Sequence, residues 1–424
     1  MIIQKHRTNC ISCGKALPEP IVFIGEQYPS AIFVSENDPI NKDLTATSLD
    51  VTRCENDNCN LVQLCNEYDL QYVFDHYPYE SGSTATMQNI LQNVVDDALS
   101  VAKIVPTDVI LDIGGNDGTL LSLIAPPVRA RVNIDAASGV DQKVTDPNYT
   151  HVHDKFNSSA FLNLKLPNPR IITSVAMFYH LNDPLEFCRN VADIMDDNTI
   201  WILQMTYLGT MLEGNIFDNI VHEHTAYYSL SSLEALLSRV GLHIAEARIV
   251  ESYGGSIRVH IVKDPDQYPK EKYRKEYTSV RQFELDNKTN TFEALYAFNS
   301  RTNLLKKTIR SILNHLIDES GPVWGFGAST KGNMLLQFLD VRSDQIPCIL
   351  DNSQKKIGKY TTGSMIPIID EHVNLECLPK YLFVLPYYYV HAFVEIIRKK
   401  LRTNQQVHLF VPLPQPYFIT LKGI

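Results

Sequence analysis

The stretch VILDIGGNDGTLL (109–121) decides the fold. Four apolar, branched residues and one aspartate run into a glycine turn and straight on into an apolar helix start, which is the opening βα unit of a doubly wound sheet. A dinucleotide loop would read G-x-G-x-x-G and set a helix N-terminus against a pyrophosphate. Here the spacing is Asp112-x-Gly114-x-x-x-Gly118, and the acidic Asp112 and Asp117 suit a ligand without phosphates whose near face carries an amino group or hydroxyls. S-adenosylmethionine fits that description, with Asp112, Gly114, Asn116 and Gly118 against its amino-acid moiety. Asp135 ends the next strand about 20 residues on, where an acidic side chain commonly holds ribose hydroxyls. A tight turn that needs glycines only for packing is the plainer alternative.

Working outward, VNID (132–135), IITSVA (171–176) and IWILQM (200–205) read as further strands, separated by helix-length stretches such as DPLEFCRNVADIM. Repeated βα units require parallel pairing with helices on both faces. LHIAEARIVESYGGSIRVHIV then reads as two extended runs about Gly254 and Gly255, an antiparallel hairpin closing the sheet. Residues 265–320 are charged and helical. A second α/β pattern follows in PVWGFG, a helix from about 330, IPCILD, KYLFVLP, a helix near 388–401 and VHLFVPLP. In GFGASTKGN, Gly327, Lys331 and Asn333 stand at a strand-to-helix turn. Backbone N–H groups and one lysine there predict a local anion site for a phosphate or pyrophosphate. The spacing is not that of a Walker A loop, so ATP hydrolysis is not implied.

At the other end, five of eight cysteines lie in the first 65 residues. Cys10 and Cys13 form C-x2-C, Cys54 and Cys59 form C-x4-C, and two such knuckles make a closed tetrahedral Zn²⁺ site with no position open for catalysis. Four free cysteines are the alternative. The segment 1–66 is turn-rich and holds too little core to fold without the metal, so the zinc is expected to be structural.

With 424 residues the chain is long enough for two to four domains, and 44% hydrophobic with 20% charged residues is a globular composition. Lys+Arg 38 against Asp+Glu 48 leaves a net charge of −10, which argues against a nucleic-acid polymer as partner. Neither a signal-peptide run nor a membrane-length apolar run is present, and the sequence reads as cytoplasmic. Between Met205 and Ser231 lies a connection longer than usual, containing FDNIVHEHTAYYS. His222, Glu223 and His224, near Tyr227 and Tyr228, crowd titratable groups beside the carboxyl ends of the sheet, where ligands bind. They lack the i,i+4 pair of H-E-x-x-H and read as acid/base machinery. His180, in AMFYHLND, points to the same edge.

Taken in order, the cysteine pairs, Y-P-Y-x-S (Tyr77 to Ser81), DIGGNDGTLL, Y-G-G-S-I-R (Tyr253 to Arg258), GFGASTKGN and the later DNSQKKIGKY with IPI resemble the S-adenosylmethionine-dependent sugar C-methyltransferases, which act on nucleotide-linked 4-keto-deoxysugars. The resemblance covers nearly the whole chain. It implies an α/β protein with a zinc-binding N-terminal lobe (1–75), a class I methyltransferase domain (76–264), and a helical spacer with a C-terminal Rossmann-like nucleotide-binding domain (265–424). It further implies His224 as base, paired with Glu223, and Tyr79 and His180 around the sugar. The implied chemistry removes the C3 proton made acidic by the neighbouring ketone, giving an enolate that accepts the methyl group. A nucleotide-linked ketosugar is then the partner, with the protein a monomer or weak homo-oligomer and no membrane involved. Two departures stand out: Val221 replaces a usual tyrosine, and Gln204 a usual acidic residue. A proton donor is thereby lost, and Tyr227, Tyr228 or Tyr79 substitutes or the sugar differs. Methyl transfer to oxygen or nitrogen of a small metabolite, or a non-catalytic binding protein, are the rival readings.

Overall fold

The structure is a computed structural model describing residues 4–38, 44–69, 80–137, 140–252, 254–266, 268, 270–374, 378–403 and 405–423. The N-terminal lobe contributes β1 (Val22–Gln27), β2 (Phe33–Val34), β3 (Thr47–Arg53) and β4 (Val62–Leu64). Strand β3 lies between β1 and β4, antiparallel to both. Helix α1 (Ala85–Val101) starts at Thr84, whose hydroxyl accepts from Met87 N, and buries Leu91, Val94, Val95 and Ala98 at helical spacing.

The deciding stretch forms β5 (Val109–Ile113), the glycine turn and the short α2 (Thr119–Ser122). After it come β6 (Ala130–Ile134), β7 (Tyr149–Val152), β8 (Ile171–Val175), α3 (Pro184–Ile194) and β9 (Ile200–Thr206). Every residue of β5 and β6 is buried, as a sheet covered on both faces demands. The chain continues through α4 (Leu208–Glu213), β10 (Ala226–Tyr227), α5 (Leu230–Leu237), β11 (His243–Val250) and β12 (Ser256–Val262). The central sheet has the order β11-β12-β9-β8-β5-β6-β7. Strands β5 to β9 pair in parallel, and the expected hairpin β11–β12 closes the edge antiparallel to β9. Strand β7 has no counterpart in the sequence reading: NYTHVHD is too polar for a buried run, and all four strand residues are only half-buried.

Helices α6 (Lys270–Asp286) and α7 (Phe292–Ser320) fill the charged stretch. The second half is built from β13 (Trp324–Phe326), α8 (Thr330–Phe338), β14 (Ile349–Asp351), β15 (Tyr360–Thr361), β16 (Ile368–Asp370), β17 (Tyr381–Val384), α9 (Val390–Arg398), β18 (Gln406–Val411) and β19 (Tyr417–Lys422). Its sheet order β16-β14-β13-β17-β18-β19, parallel up to the antiparallel β19, is the Rossmann-like arrangement the sequence suggested.

The hydrophobic cores do not follow the three sequence segments. Val22, Leu49 and Val51 of the lobe pack in one core with Leu208 and Phe217 of the central insertion and with Phe326, Leu335 and Phe383 of the C-terminal half. Cys10, Cys54 and Cys59 instead join Tyr228, Leu233 and Trp201 on one face of the central sheet. Strand pairing repeats this: β10 adds to the lobe sheet beside β4, and β15 pairs with β2. Each buried Leu, Ile or Val contributes about 1.5–3 kcal/mol, so these shared cores tie the lobe to partners far away in sequence. Among the described residues no helix is long and apolar enough to cross a membrane.

Candidate active site

In the central sheet the strand order reverses between β5 and β8, and sheets of this kind bind ligands beside the carboxyl ends of the strands at that point. One wall is the glycine turn. Gly114 has φ +75°, and a Cβ on it would come within 2.9 Å of Met177. Asp112 is fully buried and accepts from the Thr173 hydroxyl at 2.7 Å. Burial, together with the neighbouring Asp135, lifts its carboxyl to about 7 against the Thr173 bond. Asp135 Oδ2 accepts from Asn116 N (2.7 Å) and Oδ1 from Ala137 N (2.6 Å), which fixes the turn to the end of β6. A cradle of two carboxylates fits an ammonium and ribose hydroxyls, and repels phosphate. The chemistry of this donor set fits S-adenosylmethionine.

The segment following the Y-P-Y run closes over this turn. Ser81 N donates to Asn116 Oδ1 at 2.9 Å and Gly82 N to Asp117 Oδ2 at 2.8 Å. Glu80 bonds Lys143 of the central domain and Lys355 of the C-terminal half, an ionic link between the two. Tyr79 itself, with Tyr77 and Tyr253, lies outside the described residues.

The second wall is the long insertion after β9. Its ends are pinned by Leu208 N donating to Tyr228 O (2.9 Å) and by Glu284 of α6, which accepts from Tyr207 OH (2.8 Å) and Leu230 N (2.5 Å). Between them the His-Glu-His triplet splits. His224 stacks against His180 at 5.4 Å between ring centroids, and Tyr179 meets both rings edge-on at 4.4 and 4.6 Å. His224 Nδ1 lies 2.7 Å from the Asn219 carbonyl. A carbonyl oxygen only accepts, so Nδ1 carries the proton and Nε2 keeps its lone pair. Burial, then the neighbouring His180 and Lys331, hold His224 well below the ordinary histidine value, and burial alone takes His180 down to about 4. His222 turns the other way, onto the Thr47 hydroxyl (2.8 Å) and the Tyr68 ring of the lobe. Glu223 is buried, lifted to about 7 by desolvation, and its Oε2 has no partner among the described residues. Tyr227 OH is likewise unpartnered, and its acidity is suppressed by burial with Tyr68 and Glu223 close by. Tyr228 packs on Phe178 in the cysteine-lined core.

Gln204 and Val221 both have structural surroundings. Gln204 Oε1 accepts from Arg258 Nε at 2.7 Å, and Val221 is buried in the shared core.

The C-terminal half packs against the insertion, with Tyr387 OH donating to Asp218 Oδ1 at 3.3 Å. Gly327 has φ +82° and Pro386 packs where its Cβ would be. Ser329 caps α8 by accepting from Gly332 N. Lys331 is nine-tenths buried, 5.3 Å from the Tyr388 ring centroid and opposite the buried Asp218. Asn333 is fully buried: its Nδ2 donates to Ser30 O (3.0 Å) and Thr362 Oγ1 (2.7 Å), a clip between the lobe and the C-terminal half. Sequence reasoning missed Tyr179, Asp218, Asn219 and Tyr387. A polar FDN just ahead of the triplet was the signal available for two of them.

In the lobe, Cys10, Cys13, Cys54 and Cys59 place all four sulfurs within 4.8 Å of one another. The Cys10–Cys59 and Cys13–Cys54 separations are 3.7 and 3.5 Å. A tetrahedron with metal–sulfur bonds of about 2.3 Å has sulfur–sulfur edges of about 3.8 Å, so the cluster fits a four-thiolate Zn²⁺ site.

Residues 85–247 match the family described as a methyltransferase domain, and residues 251–414 that described as the C-methyltransferase C-terminal domain. The C-methyltransferase NovU of Streptomyces niveus is 23% identical over 417 residues, spanning 98% of this chain and 97% of its own. Among solved structures, magnesium protoporphyrin IX methyltransferase (ChlM) from Synechocystis PCC 6803 is 13% identical, covering 42% of this chain and 79% of its own with a TM-score of 0.32. N-methyltransferase NodS from Bradyrhizobium japonicum WM9 is 12% identical, covering 42% and 97% with a TM-score of 0.32. The two matched segments, one carrying the Asp112 turn and the other Lys331, make this chain an S-adenosylmethionine-dependent methyltransferase.

Proposed function

We propose that the chain methylates carbon, at the position next to the ketone (C3) of a nucleotide-linked deoxy-ketosugar. The observation that carries this reading is His224: a buried, neutral imidazole whose Nδ1 proton is fixed by the Asn219 carbonyl, leaving Nε2 with its lone pair beside His180. A carbon next to a ketone needs a held base to form the enolate, and His224 is placed to be one. The likeness to NovU along both chains and the C-methyltransferase C-terminal segment support carbon as the target.

Bound S-adenosylmethionine would supply an electrophilic methyl group. The chain's own residues do the rest. His224 Nε2 takes the C3 proton, and the imidazolium that forms keeps its other proton on Nδ1, donated to the Asn219 carbonyl. His180 stacks on one face and Tyr179 meets the edge, which holds the ring angle and excludes water. Glu223, lifted to about 7, sits next in sequence as a buried carboxyl able to take or return a proton near neutrality. Lys331 offers a cation to the diphosphate, so binding energy from the nucleotide end orients the sugar. The four-cysteine cluster is assigned to structural Zn²⁺, with no open position for substrate.

Incubation with methyl-labelled S-adenosylmethionine and a thymidine-diphospho-4-keto-6-deoxysugar tests the reading. Label on carbon, stable to alkali and accompanied by loss of the C3 proton to solvent, is the expected result. An O-methyl product overturns it.

A further inference from the structure

Three consecutive residues connect the C-terminal half to the base. Phe217, Asp218 and Asn219 form one 3-10 turn ahead of the His-Glu-His triplet. The Phe217 ring packs on Phe338 of α8 at 4.7 Å. Asp218 is fully buried, accepts from Tyr387 OH through Oδ1 (3.3 Å), and faces Lys331 near the start of the same helix. Its Oδ2 has no partner among the described residues. The Asn219 carbonyl holds His224 Nδ1. Turn and helix α8 are therefore packed together, and the ring of His224 hangs from the turn's last residue.

We propose that Asp218 is a positioning residue: held by Tyr387 opposite Lys331, it sets the place of the Asn219 carbonyl and through it the His224 ring, so that an anion arriving at Lys331 is felt at the base. The anion half of this inference rests on the nucleotide-diphosphate reading given above. An incoming diphosphate competes with the Asp218 carboxylate for one buried cation. Like charges around that cation repel, the carboxylate shifts or takes a proton, and the adjoining peptide carries the change to Asn219. Substrate binding and readiness of the base are coupled in this way without direct contact between the diphosphate and His224.

The test uses the full chain labelled with ¹⁵N-histidine, with long-range proton–nitrogen spectra assigned by His224→Ala and thymidine diphosphate as the probe. In the ligand-free wild type, His224 should show the Nδ1–H tautomer. On adding thymidine diphosphate its ring nitrogens should shift. Asp218→Asn, which keeps an oxygen for Tyr387 but removes the charge, should bind S-adenosylmethionine as before while the nucleotide-induced shift is lost. Tyr387→Phe, which only frees the carboxylate, should diminish that shift. An unchanged shift in both variants, or wild-type binding with no shift at His224, overturns the proposal. Should thymidine, uridine, guanosine and cytidine diphosphates all fail to bind the wild type, the nucleotide reading fails and the anion coupling with it. The positioning half then stands or falls on the ligand-free spectra, where an identical His224 tautomer and shift in Asp218→Asn overturns it.

Discussion

Asp135 and Asp351 occupy the same place in two different sheets. Each ends the second strand of its half and each accepts from two backbone N–H groups, one in the preceding glycine turn and one two residues further along its own chain. For Asp135 these are Asn116 and Ala137, at 2.7 and 2.6 Å; for Asp351 they are Ala328 and Ser353, at 2.7 and 2.8 Å. The two carboxylates brace two crevices of one design. Asp135→Asn should weaken S-adenosylmethionine binding and leave thymidine diphosphate binding unchanged, and Asp351→Asn should do the reverse. Calorimetric titration of both ligands into both variants checks the crossover.

His224→Ala should lower methyl transfer about 10²–10⁴-fold, the range expected for losing a general base. Binding of S-adenosylmethionine should be unaffected, because the Asp112 turn lies on a different wall. Single-turnover transfer, with cofactor affinity measured alongside, separates a lost base from a lost site.

Cofactor affinity should depend on pH through Asp112. Its carboxyl is raised to about 7, so the free protein takes up a proton there as pH falls below that value. A ligand ammonium favours the ionised form. Binding near pH 7 should then release a proton, and affinity should be lost as pH falls, by about tenfold per unit well below 7. Titrations in buffers of differing ionisation heat measure the release. Asp112→Asn should weaken binding and flatten the dependence.

Asn333→Ala should destabilise the whole chain by about 1–3 kcal/mol. It removes both clip bonds and leaves the Ser30 carbonyl without that donor in a buried position. Denaturant unfolding with intact cofactor binding is the measurement. A loss confined to activity would contradict the clip.

Purified protein should hold zinc through the four thiolates, and Cys13→Ser should lower both zinc content and melting temperature. Because Cys10, Cys54 and Cys59 pack into the central core, chelation should loosen the central domain together with the lobe. Elemental analysis and thermal unfolding in chelator read both effects.

What the sequence displayed and what it hid divide along a physical line. VILDI and the hairpin about Gly254 were legible because strand periodicity and glycine turns are written in adjacent residues. The cysteine pairs were legible because the chelate spacing is local, and their sulfurs do converge. The orientation of the triplet was not. His222 faces Thr47 and His224 faces His180, and neither partner lies within forty residues. Lys331 advertised an anion site through its glycine turn, but its meeting with Asp218 depends on how α8 packs on a turn over a hundred residues earlier. Such contacts carry no periodic signal.

The borrowed strands of the lobe also bear on how the chain assembles. The edge of its sheet is completed by Ala226 and Tyr227, and Phe33–Val34 by Tyr360 and Thr361, each more than a hundred residues further along. Until those partners are in place the lobe's strand edges are unpaired, the condition that exposes a chain to edge-to-edge association. A metal held by the four cysteines would keep the lobe's strands together through that interval.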